Sequence, residues 1–213
     1  MPRMLRRAVV LGATASVAHK AGEASAQKQA DAQTAEAQQA THDRIAAAAA
    51  GLHEEVGIAK TTVADIARRA GVQRLTVYNH FPDLDALLPA CTSHYLAAHP
   101  RPDLGPALAL EDPAERLRAV LAGLYGWYRE NAPMQRRVLG ERATVPELDA
   151  WLARSSDVML AEMAAHLSEG FDPPGSQALV ALALDFWTWQ RLDRQGLDDA
   201  AAAALMASAV AKK

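Results

Sequence analysis

Cysteine is nearly absent from this sequence, which holds one, Cys91, among 213 residues. One cysteine excludes an intrachain disulfide and a metal site built from several cysteines. This usage is typical of a reducing compartment, so we expect a cytoplasmic protein. A lone cysteine in an apolar segment is more typical of core packing than of a redox switch, so we expect Cys91 to be buried.

Aromatic residues and β-branched runs are also scarce. Aromatics make up 5% of the sequence, whereas alanine, the best helix former, dominates long stretches. No stretch of useful length alternates with the period of two that marks a strand, and no segment repeats. Half of the residues are apolar, enough for a substantial core. We predict an all-α protein.

The sequence has no excess of basic residues and no catalytic pattern. It has 22 Lys and Arg against 25 Asp and Glu, so any contact with nucleic acid requires a local basic patch. No nucleophile–base pair, phosphate loop or metal motif is evident, so we expect no enzyme activity, no cofactor and no metal. Glu162 and His166 share a helix face, but without a third ligand an ion-paired surface is the better interpretation.

No apolar run reaches the roughly 20 residues that a membrane span requires, so we expect no membrane partner. The run over residues 8–18 follows three arginines, Arg3, Arg6 and Arg7. Together with small residues near Ala18 and Ala26 it resembles a secretory signal. The alternatives are a flexible Ala/Gln-rich extension over residues 1–40 and a wrongly assigned start codon. Cleavage near Ala18 or Ala26 would favour an exported helical binding protein.

A regular helical pattern begins at Thr41, a predicted N-cap, and Gly57 is a suitable residue to end that helix. Pro89 is expected to kink a helix that runs from Asp83 to about Ala98. A loop rich in Pro and Gly after residue 98 divides a domain over 41–98 from one over 99–213. The helices predicted in the second domain are Pro113–Asn131, Met134–Arg142, Pro146–Ser168, Ser176–Gln195 and Asp198–Ala211, separated by Pro133, Pro146, Pro173-Pro174-Gly175 and Gly196.

The most informative segment is TTVADIARRAGVQRLTVYNHF, residues 61–81. Thr62 and Asp65 have the spacing of a capping box, which predicts a helix from Val63 to about Arg69. A turn over 70–72 leads to a second helix over about 73–79. Because two short helices on a tight turn cross steeply, a small residue must lie at the contact and a residue tolerant of positive φ in the turn. Ala67 and Gly71 meet these needs.

The side chains of this segment divide into two sets. The apolar set is predicted to be buried: Val63, Ile66, Ala70, Val72 and Val77. The set predicted to face outward on the second helix carries hydrogen-bonding groups of the kinds that read base edges or bind phosphates. This outward set is Gln73, Arg74, Thr76, Asn79 and His80. Tyr78 is left open between a DNA contact and a core residue with its hydroxyl at the surface.

With the helix before it and Tyr78-x-His80-Phe81-Pro82 after it, this segment resembles the DNA-binding region of the tetracycline-repressor (TetR/AcrR) family, over about residues 41–88. The resemblance implies an N-terminal three-helix DNA-binding domain and a C-terminal helical domain for ligand binding and dimerisation. It implies that Thr61 and Thr62 meet the DNA backbone. Gln73, Arg74, Leu75 and Thr76 would then enter the major groove, where Arg74 suits guanine and Gln73 suits adenine. Tyr78 and His80 would hold phosphates, and Asn79 would do either.

One departure from the family pattern concerns charge. Where many members carry a lysine after the motif, this sequence has Asp83 and Asp85. Residues 41–88 hold five basic and six acidic residues. We therefore expect weak non-specific DNA affinity with a shallow salt dependence, which an Arg-rich N-terminus would offset if it reaches DNA. The same departure keeps open a second hypothesis, a ligand sensor of this fold with degenerate DNA binding.

The resemblance also implies an apolar ligand pocket in the C-terminal half, against the plainer interpretation of ordinary helix packing. Trp187 and Trp189 lie about 200° apart on a helix, so we expect one to face the core and the other a partner subunit. Trp189 is a further candidate beside the eight main pocket residues. These are Trp127, Tyr128, Met134, Trp151, Met159, Met163, Phe186 and Trp187.

By the same resemblance, the chain forms a homodimer through the helices Ser176–Gln195 and Asp198–Ala211, where the small residues 200–204 permit close approach. Two recognition helices about 34 Å apart reach successive major grooves, which predicts a palindromic operator in double-stranded DNA. The expected function is a sequence-specific transcriptional regulator, a repressor released by a small apolar effector. The alternatives are the degenerate sensor and the exported binding protein.

Overall fold

A computed structural model describes residues 5–171 and 175–212, with side chains from residue 25 onward. The basic residues Arg3, Arg6 and Arg7, the predicted cleavage site at Ala18 and the Pro173-Pro174 pair lie outside the described residues or side chains. The chain forms two units, one up to Arg44 and one from Ile45 onward. All features analysed below belong to the second unit unless stated.

The described residues contain helices and no strand, so the predicted all-α fold is confirmed. The helices are α1 (Leu5–Glu55), α2 (Val63–Ala70), α3 (Arg74–His80), α4 (Leu84–Ala98), α5 (Gly105–Leu108), α6 (Pro113–Glu130), α7 (Ala132–Glu141), α8 (Pro146–Arg154), α9 (Ser156–Ser168), α10 (Ser176–Leu184), α11 (Phe186–Arg194) and α12 (Asp199–Ala211).

The predicted start of the first helix was wrong, and its end was right. Thr41 is not an N-cap: it lies inside α1, and its hydroxyl donates to the carbonyl of Ala37 at 2.9 Å. The Ala, Gln, Glu and Lys residues before it are good helix formers, so a continuous helix needs no cap there. Gly57 ends the helix as predicted, with φ +94°.

Two helices predicted as continuous are each broken in the middle. The predicted Pro146–Ser168 divides at Ser155, whose hydroxyl donates to the carbonyl of Trp151 at 2.6 Å. The predicted Ser176–Gln195 divides at Asp185, whose carboxylate accepts the Thr188 N–H at 2.8 Å and so caps α11. No Pro or Gly marks either break. The Ser155 hydroxyl satisfies a carbonyl at the end of α8, and the Asp185 carboxylate satisfies an amide at the start of α11.

Two apolar cores organise the second unit. One is built mainly from α6, α9, α10, α11 and α12, with Leu117, Leu121, Tyr125 and Val180 fully buried. The other joins the end of α1 to α2, α3 and α4. This core also includes residues from far along the chain: Val145, the N-cap of α8, and Leu148 and Leu152 of α8 are buried in it.

The turn between α2 and α3 offers a test of backbone conformation with a matched control. A Cβ at either Gly71 or Gly140 would meet no atom within 4 Å, but Gly71 has φ +67° whereas Gly140 is helical. We expect Gly71→Ala to destabilise the protein by about 1–2 kcal/mol, the cost of a left-handed L-residue. Gly140→Ala should stabilise it by about 0.5–1 kcal/mol, because alanine favours helix. Chemical denaturation measures both, and equal effects would contradict the assignment.

Candidate nucleic-acid interface

The corner between α2 and α3 is closed by backbone hydrogen bonds. The N–H of Val72 donates to the carbonyl of Ala67 at 3.0 Å, and the N–H of Gly71 donates to that of Arg68 at 3.4 Å. This pair is the Schellman motif, which requires a left-handed residue at Gly71. Ala67, predicted at the helix contact, is buried. The predicted turn chemistry is therefore confirmed.

The predicted apolar set packs beneath this corner. Ile66, Ala70 and Val77 are buried, and Val63 and Val72 are partly buried against the same core. Phe81, which ends α3, is buried as well. A short helix is only marginally stable alone, so this packing fixes the direction in which α3 points its other face.

The outward face of α3 carries the side chains predicted to meet DNA. Gln73, Arg74 and Asn79 are exposed, and Thr76 and His80 are half-buried. Leu75 is 66% exposed, an unusual position for a large apolar side chain in a monomer. Tyr78 is 51% exposed, so the alternative that placed it in the core is wrong.

Both predicted threonines are engaged in local hydrogen bonds at the entrance to α2. Thr61 donates its hydroxyl to the carbonyl of Gly57 at 2.6 Å. Thr62 is the N-cap: its hydroxyl accepts from the Asp65 N–H at 3.2 Å and donates to the Asp65 carboxylate at 2.5 Å. These contacts lower the pKa of Asp65, chiefly through the Thr62 hydroxyl and then through Arg68.

Acidic partners neutralise two of the basic residues near the corner. Arg68 pairs with Asp65, and Arg69 forms a two-point pair with Glu55 at 2.5 and 2.9 Å. In the part of the chain that the structure describes, Lys60 and Arg74 form no ion pair. The positive charge left for an anion is therefore smaller than the basic residues in the sequence indicate.

The acidic residues after the motif also have partners. Asp83 caps α4 by accepting the Ala86 N–H at 2.8 Å. Asp85 pairs with Arg154 of α8 at 2.8 Å, a contact that sequence spacing gives no means to foresee. The negative charge of Asp85, which was expected to weaken DNA affinity, is thus partly neutralised, although solvent screening weakens an exposed ion pair of this kind.

A cavity of about 480 Å³ lies among the C-terminal helices and the ends of α1 and α4. Such a volume is typical of small-molecule pockets, which hold about 300–1,000 Å³. The eight main side chains predicted for a pocket all line it: Trp127, Tyr128, Met134, Trp151, Met159, Met163, Phe186 and Trp187. Trp189 does not line it, since it is buried in the C-terminal core. The N-terminal side of the wall was not predicted from the sequence; its residues include Ala50, His53, Ile58, Leu88 and Cys91.

The most buried polar groups of the cavity wall are uncharged at neutral pH. Burial lowers the pKa of His53 to about 4 and raises that of the Cys91 thiol to about 12. The Sγ of Cys91 lies 3.7 Å from Nδ1 of His53 and donates to the carbonyl of Leu88 at 3.3 Å. Arg142 is balanced by Asp149 and Asp157, each at 2.6 Å. This part of the wall suits an apolar molecule with neutral hydrogen-bonding groups.

The neighbouring helices α10 and α12 leave an apolar surface uncovered. Leu182 is 51% exposed and Leu205 48% exposed, with Leu179 and Trp187 also exposed. Trp187 and Trp189 face opposite ways, as their spacing predicts, and Trp189 is buried. Large exposed apolar side chains on neighbouring helices make α10 and α12 a candidate interaction surface.

No metal cluster of three or more His, Cys, Asp or Glu side chains occurs among the described residues. His166 is exposed, and its Nδ1 lies 3.7 Å from the carboxylate of Glu169. Likewise, across the described part of the chain, every helix is too short or too polar to span a bilayer.

An all-helical chain with a helix-turn-helix corner, an exposed second helix and a cavity has the architecture typical of helix-turn-helix regulators. Residues 45–91 match the family model described as bacterial regulatory proteins, tetR family. The match covers 47 of the 213 residues, and together with the relatives below it supports a regulator of the tetR family.

Two curated relatives are helix-turn-helix transcriptional regulators. BetI of Serratia proteamaculans is 45% identical over 76 residues, covering 32% of this chain and 36% of BetI. An uncharacterized regulator of Mycobacterium bovis is 41% identical over 58 residues, covering 27% of this chain and 31% of the relative. The chain thus matches about a third of the length of these relatives.

Two solved structures share the fold over most of the chain. A putative TetR-family regulator from Rhodococcus sp. has a TM-score of 0.55 at 21% identity, covering 81% of this chain and 97% of that one. A TetR-like regulator from Rhodococcus sp. RHA1 has a TM-score of 0.56 at 22% identity, covering 80% and 93%. The likeness concerns the fold and extends to the C-terminal helices.

The buried histidine gives a pH prediction. Because the folded pKa of His53 lies below its unfolded value, the unfolded chain binds the proton first as the pH falls. The stabilisation is complete above pH 6.5 and is lost on the way down to about pH 4. From about pH 7.5 to about pH 5, the wild type should lose about 2 kcal/mol more stability than His53→Leu.

Denaturation curves at the two pH values measure this difference. Gln135→Leu is the matched control, since it removes a polar side chain from the same cavity wall without removing a titrating group. It should keep the pH dependence of the wild type. A His53→Leu profile parallel to that of the wild type would show that His53 titrates alike in both states.

Proposed function

We propose that this protein is a sequence-specific DNA-binding transcriptional regulator that acts as a homodimer, represses transcription and is released by a small apolar ligand. The observation that carries the proposal is the exposed face of α3. A closed corner and a buried underside hold that face, so its side chains are preorganised to enter a groove.

Base reading is assigned to the first turn of α3. Gln73, Arg74, Leu75 and Thr76 would enter the major groove, with Arg74 on guanine and Gln73 on adenine. The absence of an ion pair for Arg74 among the described residues supports its role, because its guanidinium needs no release from a carboxylate. The exposed Leu75 suits contact with a thymine methyl group.

Phosphate contacts are assigned to the flanks of the corner. Thr61 and Thr62 lie at the start of α2, where free N–H groups favour anions. Tyr78 and His80 would hold phosphates on the other flank, and Asn79 would contact either a base or a phosphate. With Arg68 and Arg69 engaged by carboxylates, few charges remain, so we expect a shallow dependence of affinity on salt.

Dimerisation is assigned to the uncovered surface of α10 and α12, within the predicted segments Ser176–Gln195 and Asp198–Ala211. Pairing two copies there would bury Leu182 and Leu205, whose exposure is otherwise unfavourable. Two α3 helices about 34 Å apart would then read a palindrome. Residues 41–98 serve DNA binding in this proposal, and 99–213 serve ligand binding and dimerisation.

Release is assigned to the cavity. A ligand weakens DNA binding only if it binds more tightly to the arrangement in which the two reading helices are misplaced. The cavity wall includes both C-terminal aromatics and side chains of α1 and α4, the helices on either side of the DNA-facing corner. An occupant would thus touch both parts of the regulator.

The central test is selection of bound sequences from a random DNA pool, followed by titration of the selected duplex with wild type and Arg74→Ala. We expect a palindrome, and the variant should lose about 1–3 kcal/mol of discrimination at one base position of each half-site. Arg118→Ala is the control, since Arg118 is exposed on α6 and away from the corner. Failure to select any sequence would favour the degenerate sensor. The selected duplex then supports a screen for ligands that release it.

The dimer surface has its own test by sedimentation. Leu182→Glu places a charge at a half-exposed apolar position on α10, and we expect it to convert dimer to monomer because an unpaired charge is costly in an apolar interface. Ala150→Glu, exposed on α8, should leave the dimer intact. A Leu182→Glu protein that remains dimeric would move the interface elsewhere.

A further inference from the structure

We infer that Glu141 is a positioning residue that ties the turn in front of the DNA-facing helices to the wall of the cavity. The inference rests on the proposed function and adds to it the route by which an occupant acts. Glu141 ends α7, and the turn over residues 57–59 follows α1 and leads to Thr61.

The carboxylate of Glu141 is held by two successive backbone amides of the turn. Its Oε2 accepts the N–H of Ile58 at 2.6 Å and the N–H of Ala59 at 3.1 Å. A Cβ built on Gly57 would lie 1.9 Å from Oε1, so the carboxylate rests directly against the glycine backbone. Gly57 is therefore required for this contact as well as for its positive φ.

Helix stability does not explain why residue 141 is a glutamate. The C-terminal end of a helix carries partial negative charge, and Glu141 lies in the last turn of α7. The turn it contacts also follows the C-terminal end of α1. The carboxylate is thus stabilised chiefly by the two amide donors, and charge-assisted bonds of this type are among the stronger hydrogen bonds.

The same end of α7 forms part of the cavity wall. Val138, Leu139 and Arg142 line the cavity within one helical turn of Glu141. Arg142 also joins this end of the helix to α8 and α9 through Asp149 and Asp157. An occupant that displaces these side chains would shift Glu141 and loosen its hold on the turn.

The turn passes such a shift on to the DNA-facing segment. Thr61 donates its hydroxyl to the carbonyl of Gly57, so the entrance to α2 is anchored to the residue that Glu141 contacts. The next residue, Thr62, caps α2. Loosening the turn would therefore misplace the phosphate-binding end of the corner without unfolding α2 or α3.

Hydrogen exchange of individual amides in the full-length chain tests the contact directly. In Glu141→Ala we expect the Ile58 and Ala59 amides to exchange at least about tenfold faster, the factor expected from losing a hydrogen bond to a charged group. Core amides such as those of Leu167 and Val180 should be unchanged. Glu130→Ala is the control, since Glu130 is exposed at the end of α6. Affinity for the selected duplex should fall about tenfold in Glu141→Ala only.

The positioning role would be overturned if Glu141→Ala left exchange at Ile58 and Ala59 unchanged, or raised exchange equally throughout the core. It would also be overturned if the variant exchanged faster at these amides but kept full affinity for the selected duplex. If Glu141→Ala fails to fold, Glu141→Gln can be used, because it keeps a hydrogen-bond acceptor. It should show a smaller increase in exchange at the same two amides. If the wild type selects no duplex, the proposed function fails while the exchange comparison still decides whether Glu141 holds the turn.

The link to the cavity is tested by Arg142→Met, which frees the end of α7 from α8 and α9 and leaves Glu141 in place. We expect faster exchange at Ile58 and Ala59, by a smaller factor than in Glu141→Ala. Exchange at the wild-type rate there would show that the contact is local, and would overturn the transmission from the cavity wall.

Discussion

The burial of α8 in the N-terminal core is the constraint on which the rest of the arrangement depends. Val145, Leu148 and Leu152 share that core with α2, α3 and α4, and the neighbouring Arg154 pairs with Asp85. The corner of α2 and α3 is therefore joined to the C-terminal helices by packing against α8 as well as by the connecting helix α4. Because packed apolar side chains shift as a unit rather than deform gradually, movement of α8 must be felt by the corner.

The features that could be predicted from the sequence are those that depend on residues close together in the chain. The Thr62 cap, the left-handed Gly71 and the burial of Val77 follow from residues a few positions apart. The break at Asp185 was not predicted: Asp185 supplies a local cap for α11, but the carbonyls at the end of α10 depend on distant partners. The hydroxyls of Tyr125 and Tyr128 donate at 2.7 Å to the carbonyls of Ala183 and Leu184, which the break leaves without helical partners.

The same distinction between local and distant contacts applies to the candidate sites. The exposed residues of α3 were predictable because their spacing on one short helix sets their direction. The N-terminal side of the cavity wall was not, because His53 and Cys91 reach it only through the packing of α1 and α4 on C-terminal helices. Charge was the least predictable property, since Arg69 and Asp85 are both paired with residues that no spacing rule connects to them.

The positions of the tryptophans allow occupation of the cavity to be followed by intrinsic fluorescence. Of the four tryptophans, Trp127, Trp151 and Trp187 line the cavity, whereas Trp189 lies buried beside Arg129, whose guanidinium is 5.7 Å from its ring. An occupant would therefore contact three of the four indoles that fluoresce. The fourth, that of Trp189, is buried away from the cavity and would change little on binding. Quenching or a spectral shift would report filling of the cavity without any attached dye.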